Sequence, residues 1–159
     1  MGKFVSGTLN WVILGQGNES SRVILSLDLG NESYQKILQP DYGLDEPLEH
    51  FNLGVSRDCL CILAHTKIYL DIWLMKDYGN KESWTKLFTF PFIKFLGFNA
   101  CANLLYISEA DDQVLLEFWD KAYVYNYKNG SVKSPDIQGH SSTLFNSYVY
   151  IESLISPRP

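Results

Sequence analysis

Two clusters of acidic residues are the part of the sequence whose side chains could do chemistry. Carboxylates grouped in this way can hold Ca²⁺, or they can serve a glycosidase as acid and nucleophile. Neither cluster has the alternating acids, glycine and distal glutamate of an EF-hand loop. The stretch "EADDQ" lies between two apolar stretches and is typical of a solvated hairpin turn, and we favour this interpretation over a metal or catalytic site. The clusters consist of Glu109, Asp111 and Asp112 in "ISEADDQVLL", and of Asp41, Asp45, Glu46 and Glu49 in "DYGLDEPLEH".

Other signatures of catalysis are missing from the sequence. It has no G-x-S-x-G elbow, no H-E-x-x-H pair, no glycine-rich phosphate loop and no Rossmann motif. His50, His65 and His140 are far apart, and we expect them to be surface or loop residues rather than zinc ligands. We therefore predict no catalytic residue, metal or cofactor, and a protein that is not an enzyme. A carbohydrate-active or hydrolytic enzyme that uses the acidic loops is the alternative.

Aromatic residues near polar loops could bind a partner protein. Tryptophan and tyrosine offer a large rigid surface with a polar edge, and they anchor many protein interfaces. They are as common in cores, where the indole N–H needs an acceptor. We expect Trp84, which starts a strand, to belong to the core, and the loop residues Tyr42 and Tyr78 to be exposed.

The composition excludes several classes of partner. Of 159 residues 46% are hydrophobic and 19% charged, and the net charge is −5. Nucleic acids and acidic membrane surfaces are bound through clustered lysine and arginine, which this sequence lacks. No stretch approaches the roughly 20 apolar residues of a membrane span, and neither a signal peptide nor a disulfide pattern of cysteines is evident. We predict one cytoplasmic or nuclear domain that binds neither nucleic acid nor membrane.

A repeat predicts how the chain is built. Three segments share a Gly-led approach, an apolar strand, a loop, a second strand that ends near Asp or Asn, a turn and a third strand. We align Asp28, Asp71 and Asn126 as corresponding positions, separated by 43 residues (71 − 28) and 55 residues (126 − 71). Strand-filled periods of about 40 to 50 residues are typical of β-propeller blades. The fold class we predict is all-β, an incomplete propeller of about three to four blades.

The stretch "IYLDIWLMK" predicts a strand that is covered on both sides. Its two faces are both largely apolar, whereas a strand with one solvated face alternates between apolar and polar residues. A buried helix could be as apolar, but the run is short and Gly79-Asn80 follows, so we expect residues 83–88 to return as a hairpin. One face would carry Ile68, Leu70, Ile72 and Leu74, and the other Tyr69, Asp71, Trp73 and Met75.

The predicted number of blades is too small for a closed wheel. A closed propeller has roughly four to eight four-stranded blades, and at about 45 residues per blade this chain supplies three and a half. A shorter array leaves its end strands with unpaired backbone groups. We therefore expect either part of a larger domain or a truncated product, and a truncated fragment without independent function stays open as an alternative.

Four motifs in the same order resemble the plant F-box-associated interaction domain. "LDIWLMKDYGNKESWTKLF" is similar to the family's (E/D)-I-W-x-M-K strand, its YG-containing loop and its E-S-W-x-K strand. "GTLNWV" resembles the opening G-x-L-x-W strand, and "ILSLDLGNESYQKI" resembles the S-F-D-L-x-x-E-x-F segment. "VYIESLISP" resembles the closing Y-V-E-S-L-V-S-P strand. The resemblance covers nearly the whole chain.

The resemblance implies a substrate receptor of a Skp–cullin–F-box ubiquitin ligase. In such proteins an F-box binds the Skp adaptor, and the β-rich, often kelch-like domain binds the protein to be ubiquitinated. We interpret residues 1–159 as a partial F-box-associated propeller without an F-box and without the first blades, so that Skp binding needs an F-box outside this chain. The target would contact the loops at residues 41–46, 76–81 and 110–113. The candidate partner-binding residues are Asp41, Tyr42, Asp77, Tyr78, Asn80, Asp111 and Asp112.

Overall fold

Twelve β-strands in the described part of the chain form three four-stranded antiparallel sheets. The structure, a computed structural model, describes residues 2–15, 22–43, 48–91, 102–108, 110, 112–118 and 121–135. In each sheet the strands lie side by side in chain order. The first sheet contains β1 (Lys3–Val5), β2 (Thr8–Leu14), β3 (Arg22–Asp28) and β4 (Ser33–Ile37). The second contains β5 (His50–Ser56), β6 (Cys59–His65), β7 (Leu70–Met75) and β8 (Trp84–Phe90), and the third β9 (Ala102–Ile107), β10 (Gln113–Phe118), β11 (Lys121–Asn126) and β12 (Ser131–Lys133).

The three sheets are consecutive blades of a propeller, as predicted. The first strands of the sheets are neighbours, because β1 contacts β5 and β5 contacts β9. Between β5 and β9 the amide of Asn52 donates to the carbonyl of Ala102 over 3.1 Å. At Gly54 the two strands are so close that an added Cβ would lie 2.9 Å from Cβ of Leu104. The prediction of an incomplete all-β propeller is therefore confirmed.

Helix is nearly absent from the ranges that the structure describes. A single 3-10 turn, Lys81–Ser83, precedes β8. Over these ranges no helix is long and apolar enough to cross a membrane.

Strand β7 contributes to two hydrophobic cores at once. All its residues are buried. Leu70, Ile72 and Leu74 pack into the core between the second and third sheets, together with Phe90. Alternate residues of a strand point to opposite faces, so Trp73 and Met75 pack into the core between the first and second sheets. This confirms the predicted strand with two covered faces, and β8 confirms the predicted hairpin.

The turn before the fourth strand of each sheet shows that the predicted alignment of the repeat was wrong at one position. Asp28 and Asn126 end their strands, and each accepts backbone N–H groups two and three residues later. Asp71 lies inside β7, buried and in a 3.2 Å ion pair with Lys86. The counterpart in the second sheet is Asp77, which gives spacings of 49 residues on both sides (77 − 28 and 126 − 77).

The histidines also differ from the prediction. His50 and His65 are directly opposite each other on β5 and β6, and their rings stack at 4.2 Å. His65 is buried inside the second sheet rather than in a loop, and burial lowers its pKa to about 3, with His50 and Arg22 adding to the effect. His140 lies outside the described residues. The sequence did not reveal this pair, because the two histidines are 15 residues apart (65 − 50) and only the β5–β6 hairpin places them opposite each other.

Candidate functional site

The segment that follows β4 ties the first sheet to the second. The indole N–H of Trp84 in β8 donates to the carbonyl of Leu38 over 2.9 Å. The amide of Gln39 donates to the carbonyl of Arg22 in β3 over 2.6 Å, and the hydroxyl of Tyr42 donates to Oε1 of Gln39 over 2.9 Å. Side chains thus hold the start of this segment to both sheets, and the bond from Tyr42 to Gln39 links its later part to that start.

A groove opens between this segment and the turn that precedes β8. It has a volume of about 370 Å³ and combines two tryptophans with one proline and three charged residues. Trp73 and Trp84 are 9% and 8% exposed, whereas the charged side chains are exposed. The lining residues are Pro40, Asp41, Trp73, Lys81, Glu82 and Trp84.

Trp73 connects the groove to the core behind it. Its ring and that of Tyr42 form a T-shaped pair, with ring centroids 5.9 Å apart and planes at 90°, and Nζ of Lys86 lies 5.6 Å from the centre of the Trp73 ring. Its indole N–H is buried without a hydrogen-bond partner among the residues that the structure describes. Buried indole N–H groups are usually paired, and an unpaired one costs roughly 1–3 kcal/mol. The groove thus has a rigid aromatic base.

Side-chain hydrogen bonds fix the shape of the turn beside the groove. The amide oxygen of Asn80 accepts the N–H of Glu82 over 3.1 Å, which caps the 3-10 turn. The hydroxyl of Ser83 lies 3.1 Å from the backbone N–H of Asp77, which donates to it, and 2.8 Å from the Asp77 carbonyl. Nδ2 of Asn80 donates to Oδ2 of Asp77 over 3.2 Å. Lys81 and Glu82 therefore project from a pre-formed turn, which reduces the entropy cost of binding.

Tyr78 is less exposed than predicted. It is half-buried, and its hydroxyl reaches across to the first sheet. The hydroxyl donates to Oδ1 of Asn10 over 2.7 Å and lies 2.8 Å and 2.6 Å from the hydroxyls of Thr8 and Ser26. Thr8, Asn10 and Ser26 are buried polar residues. Tyr78 is the partner of the Asn10 amide oxygen and the Ser26 hydroxyl, whereas the Thr8 hydroxyl also contacts the Val5 carbonyl and Nδ2 of Asn10. Tyr78 is an anchor between two sheets rather than an exposed loop residue.

The other predicted residues divide between the groove and the third sheet. Asp41 lines the groove, and Tyr42 is half-buried behind it against Trp73, where burial raises the pKa of the Tyr42 hydroxyl above its ordinary value. Asp77 and Asn80 shape the turn. Asp112 belongs to the third sheet: its carboxylate accepts the hydroxyl of Ser108 over 2.8 Å and lies 3.5 Å from Nζ of Lys128. Asp111 lies outside the described residues.

The Asp112 carboxylate is held by local contacts of the third sheet. The hydrogen bond from Ser108 lowers the pKa of Asp112, and the charge of Lys128 adds to this.

Within the described ranges, no group of three or more His, Cys, Asp or Glu side chains is arranged to hold a metal ion.

Two groove residues, Pro40 and Glu82, escaped prediction from the sequence. Lys81 ends the loop 76–81 that was predicted to contact a target, but it was not among the candidate residues. None of the three has a chemical signature, and only the packing of the first two sheets brings them together. For the two tryptophans a signal existed, because both belong to the strand motifs that flank the YG-containing loop. The prediction that Trp84 belongs to the core is confirmed, and both tryptophans also line the groove.

Comparison with known proteins gives a consistent result over the whole chain. Residues 2–157 match the family described as the F-box associated beta propeller domain. An F-box/kelch-repeat protein of Arabidopsis thaliana is 30% identical over 157 residues, which is 98% of this chain and 40% of that protein. The Arabidopsis thaliana F-box protein CPR1 is 29% identical over 119 residues, 73% of this chain and 29% of CPR1. The chain thus spans about 40% or less of the length of these curated relatives. None of these descriptions is that of an enzyme.

Proposed function

The chain belongs to the F-box associated beta propeller domain family, and on this premise we propose that it is the substrate-recognition part of a receptor in a Skp–cullin–F-box ubiquitin ligase. Family membership and the F-box relatives support a role in protein interaction. In this proposal the chain binds a target protein, and other subunits carry out the transfer of ubiquitin. Contact with the Skp adaptor is made through an F-box and not through these sheets. The complex works in the cytoplasm or nucleus.

The groove between the first two sheets is the observation that carries the proposal. Interface hot spots are enriched in tryptophan that lies in a well-packed pocket and is surrounded by a polar rim. Trp73 and Trp84 form such a base, and the turn that carries Lys81 and Glu82 is pre-formed. Asp41 and Glu82 supply two negative charges to one positive charge from Lys81, which favours a target segment with a basic side chain.

The test is capture of partners by the chain from plant cells, compared between groove variants and a control. Asp41→Lys and Glu82→Lys reverse two exposed rim charges, and Glu49→Lys reverses an exposed charge that does not line the groove. We expect a partner that the wild type and Glu49→Lys both capture. The amount captured should fall at least about tenfold in the double variant that combines Asp41→Lys with Glu82→Lys. A partner set that is the same for all three folded proteins would overturn the assignment of the groove.

A further inference from the structure

The turns before the fourth strands of the first and third sheets have the same length and a similar backbone. Residues 28–33 and residues 126–131 each begin and end with a cross-strand pair. The fifth residue of each turn has a left-handed backbone, with φ of 50° at Glu32 and 66° at Gly130. The two turns can therefore be compared residue by residue.

An exposed asparagine occupies the fourth position of these two turns and of the corresponding turn in the second sheet. The three residues are Asn31, Asn80 and Asn129. Because all three are exposed, a difference in their reactivity has to come from their neighbours.

The first two asparagines lie beside a carboxylate. Nδ2 of Asn31 donates to Oδ2 of Asp28 over 3.0 Å, and Nδ2 of Asn80 donates to Oδ2 of Asp77 over 3.2 Å. The corresponding residue of the third sheet is Asn126, whose amide is neutral. A carboxylate at this distance opposes the development of negative charge on the asparagine amide, whereas a neutral amide does not.

Two further features act on the amide of Asn129. Its Oδ1 accepts the backbone N–H of Ser131 over 2.9 Å, and this donor stabilises negative charge that develops on the oxygen. The next residue is Gly130, which has no side chain to obstruct its own backbone nitrogen. A Cβ at Gly130 would meet no atom within 4 Å apart from its chain neighbours, so this peptide group is open to water.

We propose that Asn129 is a site of spontaneous deamidation. The backbone nitrogen of Gly130 loses its proton to hydroxide and attacks Cγ of Asn129. The side-chain nitrogen takes a proton from water and leaves as ammonia, which closes a cyclic imide between the two residues. Water then adds to either carbonyl of the imide and opens the ring, so that the product is aspartate or isoaspartate. The overall reaction consumes water and releases ammonia without oxidation or reduction.

Both products change the edge of the third sheet. Aspartate adds a negative charge next to Lys128, which forms an ion pair with Asp112. Isoaspartate directs the main chain through the former side chain and so adds a carbon atom between Asn126 and Ser131, which pair across β11 and β12. Val132 of β12 packs against the core between the second and third sheets. The turn that carries β12 to this core therefore changes in charge and, in the isoaspartate form, in length.

Peptide mapping of the full chain measures all three asparagines in one sample. The chain is incubated in mildly alkaline buffer, and digested samples are followed by mass spectrometry, which detects the replacement of NH₂ by OH. Synthetic peptides identify the isoaspartate form by its retention time. We expect Asn129 to deamidate at least about tenfold faster than Asn31 and Asn80. Equal rates at the three positions would overturn the proposal.

Two variants give the third turn the side chains of the first. Gly130→Glu introduces the residue found at position 32, where the left-handed backbone already carries a glutamate. It should slow deamidation of Asn129 at least about tenfold. Asn126→Asp introduces the carboxylate of position 28, which accepts the same pattern of backbone N–H groups. It should slow the reaction at least about threefold. An unchanged rate in either variant would contradict the chemistry proposed here.

The reciprocal change in the first turn is the matched control. Glu32→Gly creates an Asn-Gly pair beside the Asp28 carboxylate. We expect Asn31 to react faster than in the wild type but at least about threefold more slowly than Asn129 in the same sample. A rate at Asn31 that equals that of Asn129 would show that the neutral Asn126 and the Ser131 donor do not matter. Circular dichroism confirms the fold of each variant, and the comparison within the wild type needs no variant.

Discussion

The hydroxyl of Tyr78 donates a 2.7 Å hydrogen bond to Oδ1 of Asn10, which lies 68 positions earlier in the chain. The bond joins the turn between β7 and β8 to the second strand of the first sheet. The same turn carries Lys81 and Glu82 to the groove, so the anchor that joins two blades also positions one wall of the candidate site. The stability of the contact between the first and second sheets and the geometry of the groove are therefore linked through one side chain.

Removal of the Tyr78 hydroxyl tests this anchor. Tyr78→Phe keeps the ring but leaves the Asn10 amide oxygen and the Thr8 and Ser26 hydroxyls with one partner fewer. We expect the free energy of unfolding to fall by about 1–3 kcal/mol, measured by urea titration. Tyr34→Phe removes a hydroxyl from an exposed residue and should change stability by less than about 0.5 kcal/mol. Equal effects of the two changes would show that the hydrogen bonds of the Tyr78 hydroxyl do not stabilise the contact between the first and second sheets.

The two groove tryptophans provide a matched pair. Each is about nine-tenths buried, but of the two only Trp84 has an acceptor for its indole N–H among the described residues, the carbonyl of Leu38. Trp84→Phe loses packing and a hydrogen bond, whereas Trp73→Phe loses packing and an unpaired donor. We expect Trp84→Phe to be more destabilising by about 1 kcal/mol or more, again by urea titration. A larger loss for Trp73→Phe would contradict the hydrogen-bonding assignment.

The close contact between β5 and β9 predicts that position 54 requires glycine. An alanine Cβ would lie 2.9 Å from Cβ and 3.0 Å from Cδ2 of Leu104, closer than van der Waals contact permits. We expect Gly54→Ala to lower the midpoint of thermal unfolding, at a cost of about 1–3 kcal/mol. Gly30→Ala, whose Cβ would meet only Asp28 at 3.4 Å, is the control and should be close to neutral. If Gly54→Ala is also neutral, β5 and β9 are farther apart than described.

Burial of His65 predicts a loss of stability in mild acid. Its pKa is about 3 in the folded chain, below the ordinary value of 6.5, so the unfolded chain binds more protons below pH 6.5. The contribution of neutral, buried His65 to the free energy of unfolding is therefore fully present above pH 6.5 and decreases as the pH falls toward 3. Between about pH 7.5 and 5 the loss should be about 2 kcal/mol. Urea titrations at both values test this, since carboxyl groups such as Asp28, whose pKa is lowered by hydrogen bonds from Asn31, act at lower pH.

His65→Leu serves as the control for the pH effect. Without an ionisable group at this position, most of the difference between the two pH values should disappear, whatever the absolute stability of the variant. His50 stacks on His65, and burial also lowers the His50 pKa, so a small residual dependence is expected. An undiminished pH dependence in the variant would assign the effect to another group.

Features that repeat along a strand were predictable from the sequence. The two apolar faces of β7 followed from alternation alone, since Ile72 and Trp73 point to opposite sides whatever the neighbouring sheets are. The alignment of Asp71 with Asp28 was wrong because a polar residue within a strand pattern looks like a strand end. The shared sequence D-x-G-N at residues 28–31 and 77–80 was the signal for Asp77, and the structure agrees, since each aspartate accepts a hydrogen bond from the side chain of the asparagine three residues later.

The groove was only partly predictable. Asp41 lies in a predicted loop and does line the groove, but its nearness to Glu82 depends on how two blades pack, which no local pattern specifies. The exposure of Tyr78 was predicted wrongly for the same reason: a tyrosine beside Gly79 in a polar turn suggests exposure, while its hydrogen-bond acceptor lies in another sheet. The proposed roles in partner binding stay predictions for all seven candidate residues, which are Asp41, Tyr42, Asp77, Tyr78, Asn80, Asp111 and Asp112.

Site-specific photocrosslinking in plant cells tests the central claim most directly. A photoreactive amino acid is placed at Asp41 or Lys81 in the groove, or at Glu49 outside it, and cells are treated with a proteasome inhibitor so that a bound target persists. The account predicts one shared crosslinked protein from both groove positions, carrying ubiquitin when an F-box is supplied by the full receptor, and none of it from position 49. Crosslinks to that protein from position 49 alone, or equally from all three positions, would contradict it.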